Sequence, residues 1–192
     1  MPFGSINPKL PDWQEDVRRC ARDYGMPGLR LHPNYHGYEL KDPVFAELLH
    51  AAAASGLMVQ LVVAMEDTRT QHPLMRVPPV DLLPLAQVLK SQPEARVMLL
   101  NWWPAIRVQQ IGALAGIGTL YFDFAMLEGI EGVARLVEQV PPERVLFGSN
   151  FPLFNFEAAV LKMQESGLPE VTKAMLFEGN ARILPSSKAN PA

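Results

Sequence analysis

One cysteine in 192 residues, no excess of basic charge and no long apolar run set the first limits on this chain. A single thiol, Cys20, cannot close an internal disulfide, so the fold must stand on its core, and a reducing, cytoplasmic setting is the expectation. Its position on the apolar stripe of a helix marks it as a buried, inert thiol. The 17 lysines and arginines are outnumbered by 20 aspartates and glutamates, and a net charge of -3 offers no electrostatic footprint for nucleic acid. No stretch reaches the ~20 consecutive apolar residues of a membrane span. The opening MPFGSINP lacks both the basic residues and the apolar stretch of a secretory signal. Neither nucleic acid nor membrane is therefore an expected partner. What is present is ordinary globular composition, 48% hydrophobic and 19% charged, at a length that suits one domain with a sizeable core.

Short strands alternate with amphipathic helices along the chain, which predicts a single α/β domain over residues 1–185 and a flexible tail over 186–192. Strands are expected at Phe3 to Asn7, Gly28 to His32, Leu57 to Glu66, Arg96 to Asn101, Thr119 to Asp123 and Arg144 to Asn150. Parallel neighbours need long crossovers, and each gap here holds a helix. Asp12 followed by Glu15 reads as a capping box opening a helix with Trp13, Val17, Cys20, Ala21 and Tyr24 on one face. Asp42 and Pro43 start a second helix that ends at Gly56, after the polar loop Pro33 to Lys41. Later helices are expected from Asp81 to about Ser91, from Pro104, from Gly129 to Val140, from Phe156 to Ser166 and from Pro169 to Glu178.

Strand alternation then separates two faces. Val59, Leu61, Val63 and Met65 should lie under the helices, leaving Gln60, Val62, Ala64 and Glu66 on the other side. The same rule turns Arg30, His32, Asn101, Tyr121, Asp123 and Asn150 inward. Burying such groups without partners costs about 1–3 kcal/mol each, and more for charges, so they are expected to converge, pair or meet a ligand. Within RVLFGSNFPL, Gly148 allows close backbone approach, and Asn150 sits at the carboxyl end of a strand, the functional face of a parallel α/β protein.

GSNFP before a helix, GLRLHPNYH on an earlier strand and the closing EGNARIL resemble the amidohydrolase-related family of the amidohydrolase superfamily, whose relatives include aminocarboxymuconate semialdehyde decarboxylase. The resemblance implies an incomplete (β/α) TIM barrel corresponding to strands three to eight of an eight-stranded family barrel, with its pocket at the carboxyl ends of the strands. It implies a hydrolase, or a decarboxylase, acting on a small carboxylate-bearing or cyclic substrate. Family members hold a divalent metal such as zinc with a His-x-His pair on strand one and histidines on strands five and six. An Asp on strand eight handles the proton of the attacking water. Here those later positions fall at or next to Val62, on Asn101 and on Asn150, and no His-x-His occurs. Asparagine is a poor ligand and takes no proton from water, so no metal residue is assigned. A six-stranded arc would also expose two edges, so we expect a truncated start at Met1 or a second chain that supplies the missing wall, and with it self-association.

The remaining candidates each carry two readings. Asp123 is a general base by position, or an acceptor held by backbone N–H groups or paired with Arg30. Glu66, Asp67, Arg69 and His72 follow a strand end and either bind a carboxylate and activate water or form an Asp–Arg pair that fixes a long loop. His32 and His36, four apart across a loop bounded by Pro33 and Gly37, are metal ligands or a hydrogen-bonded pair. A guanidinium at Arg30 wants a carboxylate, either from the substrate or from Glu66 or Asp123. Trp102 and Trp103 line a pocket or fill the core; His50 is given no function. The catalytic set is thus Asp123, Glu66, His32 and Asn150, and the substrate-binding set Arg30, Asn34, Tyr35, His36, Arg69 and Asn101. The rival expectation is a catalytically inactive barrel that binds a small molecule or acts as a subunit, favoured by Val62, Asn101 and Asn150.

Overall fold

Runs rich in leucine and valine, bounded by turn residues, form the sheet. The computed structural model describes residues 2–103 and 105–184. Its strands are β1 (Gly4–Ser5), β2 (Gly28–Leu31), β3 (Met58–Val62), β4 (Arg96–Leu100) and β5 (Thr119–Phe122), all parallel and adjacent in chain order. The crossovers are helical: α1 (Trp13–Arg22), α2 (Pro33–His36), α3 (Pro43–Ala54), α4 (Leu85–Ser91) and α5 (Val108–Ala115) lie between strands. After β5 come α6 (Gly132–Gln139), α7 (Phe156–Glu165), α8 (Glu170–Ala174), a π-turn at Met175–Gly179 and α9 (Asn180–Ile183). No described helix is long and apolar enough to cross a membrane. The expected tail at 186–192 lies outside the described residues, as does Pro104.

The two faces separate as the alternation requires. Leu29, Leu31, Val59, Leu61, Val97, Leu99, Leu120 and Phe122 join the main core beneath the helices, while Met58, Met98 and Leu146 form a second cluster on the other face with Leu100, Tyr121 and Leu184. Parallel register lines up Ser5, Arg30, Gln60, Met98 and Tyr121 across that second face. Arg30 is exposed there, not buried, and its Nε donates to Gln60 Oε1 at 2.9 Å. The carboxylate partner expected for it, Glu66 or Asp123, is replaced by a neutral amide one strand away, and the guanidinium stays in contact with water while Gln60 and Met98 in the same row are buried.

Several local expectations are corrected. The sixth strand is reduced to a single bridge, Phe122 with Val145. Leu146 N donates to Phe122 O, but Phe147 N turns to Leu176 O in the π-turn, and Asn180 Nδ2 donates to Val145 O at 2.7 Å. The closing helices thus satisfy this segment in place of a ladder. The stretch Pro33 to His36 is a helical turn: Pro33 occupies its first position and Gly37, at φ 69°, caps it in the left-handed region. Asp12 makes no side-chain cap, because its own backbone is left-handed at φ 60°, and Tyr24 is exposed beyond the end of α1. α4 starts at Leu85, later than Asp81, since Asp81 Oδ1 accepts from Leu83 N in a local turn and Pro84 has no N–H to give. α5 begins at Val108, α6 at Gly132 because Gly129 stands at φ 98°, and the last expected helix passes into the π-turn at Met175.

Candidate active site

The carboxyl ends of the strands deliver residues to a common edge. His32 follows β2, Ala64 to Glu66 follow β3, Asn101 follows β4, Asp123 follows β5, and Gly148 to Asn150 follow the Val145 bridge. Asp123 is the deepest of these titratable groups, at 3% exposed. Its Oδ1 accepts from Asn101 N at 2.9 Å, and its carbonyl accepts from Trp102 Nε1 at 2.7 Å. Burial pushes its carboxyl up to about 7, against the downward pull of the Asn101 and Ala125 N–H groups and of the Lys162 and Arg30 charges. A side chain at Gly148 would bring a Cβ within 2.8 Å of Asp123 Cβ and Oδ2, so glycine is required there by space alone.

Asn101 and Asn150 act as backbone clamps. Both adopt left-handed backbone, at φ 57° and 52°, where asparagine is among the few residues tolerated. Asn101 Nδ2 donates to Ala64 O at 2.7 Å and Asn150 Nδ2 to Met65 O at 2.9 Å, so two amides hold the turn that leaves β3. Asn101 Oδ1 is buried with no partner among the described residues. The divalent metal implied by the resemblance does not fit this donor set. Among the described residues no three His, Cys, Asp or Glu side chains converge, Val62 offers no donor atom, and both amides are turned to carbonyls.

The α2 turn gathers His32, Asn34, Tyr35 and His36 on a neighbouring part of the rim. The His32 and His36 rings lie 6.0 Å apart, and those of His32 and Tyr35 6.5 Å apart. Burial first, then the His36 and Arg30 charges, lowers His32 below the usual imidazole range. Tyr35 is raised by burial and by the Glu66 charge, which places half-buried Glu66 toward this turn. Asn34 Nδ2 donates to Pro78 O at 3.0 Å and lines a cleft of about 410 Å³ with Tyr38 and Pro78. His36 Nδ1 is buried without a partner among the described residues.

A second cavity, about 420 Å³, opens beside the ends of β3 to β5 and is lined by Asp67, Arg69, Trp103, Glu128, Phe154 and Lys162, among others. Arg69 is held by Asp67, with Nη2 to Oδ2 at 2.5 Å, and by Glu128, so the Asp–Arg pair expected to fix this loop is formed. The tryptophans divide: Trp102 is buried in the core, while Trp103 lines the cavity with the Arg107 guanidinium 5.3 Å from its ring centre. His72 is exposed, its Nδ1 accepting from Leu74 N. Lys162 was not singled out by sequence. Its signal is its place on α7 between buried Ala159 and Met163, on the face turned to the sheet.

Among known proteins, the Amidohydrolase family matches residues 1–184. No curated protein matches the chain. The fold is similar to 5-carboxyvanillate decarboxylase from Sphingomonas paucimobilis, at TM-score 0.69 and 18% identity over 95% of this chain and 65% of that one. It is similar to 2,6-dihydroxybenzoate decarboxylase from Rhizobium, at 0.68 and 14% over 95% and 69%. An uncharacterized TIM-barrel protein from Bordetella bronchiseptica gives 0.76 and 19% over 97% and 66%. The chain thus spans about two thirds of the length of the structures it matches, as an arc of parallel β/α units. With the family match running through every described strand and helix, the chain belongs to the amidohydrolase family.

Proposed function

We propose that this chain hydrolyses or decarboxylates a small carboxylate-bearing or cyclic substrate at the carboxyl edge of its sheet, with Asp123 moving the proton. The observation that carries this reading is Asp123 itself, buried at a strand end and titrating near 7, where both its forms are populated at neutral pH. As a carboxylate it takes a proton from water attacking an ester or lactone. As a carboxylic acid it delivers one to the carbon that loses CO₂. Arg30, bonded only to a neutral amide among the described residues and close enough for its charge to act on Asp123, anchors the substrate anion. Arg69, paired with Asp67 and Glu128 and exposed on the cavity rim, is a second anion-binding candidate. His32, Glu66 and Tyr35 form the adjoining rim. Two of the structural neighbours are decarboxylases of aromatic acids by their names, which supports the decarboxylating branch. The single cysteine supports a cytoplasmic setting.

Carboxylated phenols and small lactones, assayed for CO₂ release and ring opening, test the proposal. Asp123→Asn is expected to lower the rate about 10²–10⁴-fold. For hydrolysis the rate should fall as pH drops through about 7, and for decarboxylation it should fall as pH rises through about 7, in line with the required form of Asp123. A variant as active as the parent would remove Asp123 from the reaction. The second reading, a barrel that binds without catalysis, draws on Asn101 and Asn150, whose amides are engaged by backbone. Saturable binding of these compounds with no turnover by the parent would select it.

A further inference from the structure

The 420 Å³ cavity contains one amine. Lys162 reaches from α7 across to the end of β5, where its Nζ donates to Ala125 O at 2.5 Å, and both residues line the cavity. The groups facing it are Asp123 and Glu128 from the β5 side and Glu165 from its own helix. The other cation in the cavity, Arg69, is neutralised by Asp67 and Glu128, and a guanidinium is not a nucleophile at neutral pH. The walls are aromatic at Trp103 and Phe154, and the rim oxygens belong to Asp67 and Glu128. The cavity therefore offers a half-buried primary amine beside hydrogen-bond acceptors, with no unbalanced cation among the lining residues to attract a carboxylate other than Lys162 itself.

We propose that Lys162 is a nucleophile that forms an imine with a small hydroxylated aldehyde or ketone bound in this cavity. The unprotonated amine adds its lone pair to the carbonyl carbon, and the C–O π pair moves to oxygen. Nitrogen passes a proton to that oxygen, giving a neutral carbinolamine. An incoming proton from water then lets the hydroxyl leave as water, and the C=N⁺ bond forms. The step takes up one carbonyl compound and one proton and releases one water, with no oxidant or reductant. Asp67 and Glu128 accept hydrogen bonds from the hydroxyls of the bound compound, and Trp103 packs against its carbon chain. Burial lowers the Lys162 amine below the ordinary lysine range despite three neighbouring carboxylates, which increases the fraction of free amine at neutral pH. This reaction is separate in chemistry from the proton transfer assigned to Asp123, although the two side chains act on each other through their charges.

The test is reductive trapping. The full chain is incubated at pH 7 with glycolaldehyde and sodium cyanoborohydride, and the labelled lysines are located by peptide mass spectrometry. Lys162 is expected to be alkylated at least ~10-fold faster than exposed Lys90 or Lys41, as a bound carbonyl compound beside a half-buried amine requires. Lys162→Arg keeps the positive charge and should abolish this fast label while the slow labels persist. Equal labelling of Lys162, Lys90 and Lys41 in the parent protein would overturn the proposal, with no variant needed. Fast labelling that survives in Lys162→Arg would overturn it as well.

Discussion

Replacing Trp102 with alanine is expected to lower the stability of this protein by about 3–5 kcal/mol, the range for removing a buried tryptophan. The side chain is 1% exposed and meets Phe122 edge-on with ring centres 6.1 Å apart. A second contribution is specific to this site. The indole N–H is a donor to the Asp123 carbonyl at 2.7 Å, so alanine also leaves that buried carbonyl without this donor. Trp102→Phe separates the two effects: it retains most of the ring volume and should cost about 1–3 kcal/mol, close to the penalty of an unmet buried polar group. Urea unfolding of the three proteins reads both differences. A loss below about 1 kcal/mol for the alanine variant would mean that the core does not close around this ring as described.

The second large effect is on the pH dependence of stability. Asp123 is raised from 3.8 to about 7 in the folded protein, so the folded state holds a proton that the unfolded state has released. The stabilisation from this group is fully present below pH 3.8 and is lost as pH rises through about 7. About three pH units at 1.36 kcal/mol each give a decline on the order of 4 kcal/mol between pH 4 and pH 7. Other groups act in the opposite sense. His32 is lowered, so its contribution is lost as pH falls below the usual imidazole range, and Asp67, lowered by the Arg69 pair, loses its contribution as pH falls below the usual carboxylate range. The parent protein alone therefore gives a mixed profile. The difference between Asp123→Asn and the parent cancels those common contributions. The variant is expected to gain on the parent steadily from pH 4 to pH 7, whatever its absolute stability at either end. A flat difference would show that Asp123 is ionised throughout.

The order of strands and helices was legible because each crossover carries its own helical period, and the two faces of β3 followed from alternation between Gln60 and Val62 on one side and Val59 and Leu61 on the other. Position also found Asp123, since a carboxylate at the end of an apolar strand has few ways to remain solvated. What was not legible depended on partners remote in sequence. Val145 to Phe147 has the composition of a strand, but its hydrogen bonds go to Leu176 and Asn180 as well as to Phe122, and nothing local in the sequence states that. Pro33 and Gly37 were read as breakers of regular structure, whereas here they are the first residue and the cap of one helical turn. Arg30 points to the inward face by alternation, yet it is exposed while Gln60 and Met98 in the same row are buried, a difference that alternation alone does not state. Lys162 was passed over because a lysine on an amphipathic helix ordinarily points to water, and its partner Ala125 O lies 37 residues away.

The proposed reaction turns on one proton, the one Asp123 exchanges with water. Carbon-13 NMR of the aspartate carboxyl groups, assigned by comparison with Asp123→Asn and titrated from pH 3 to pH 9, measures it without a substrate. A carboxyl resonance absent from the variant and titrating near 7 is the expected result. A midpoint near the ordinary 3.8 would contradict the burial that makes Asp123 the proton-transfer group, and with it the placement of the active site at this edge of the sheet.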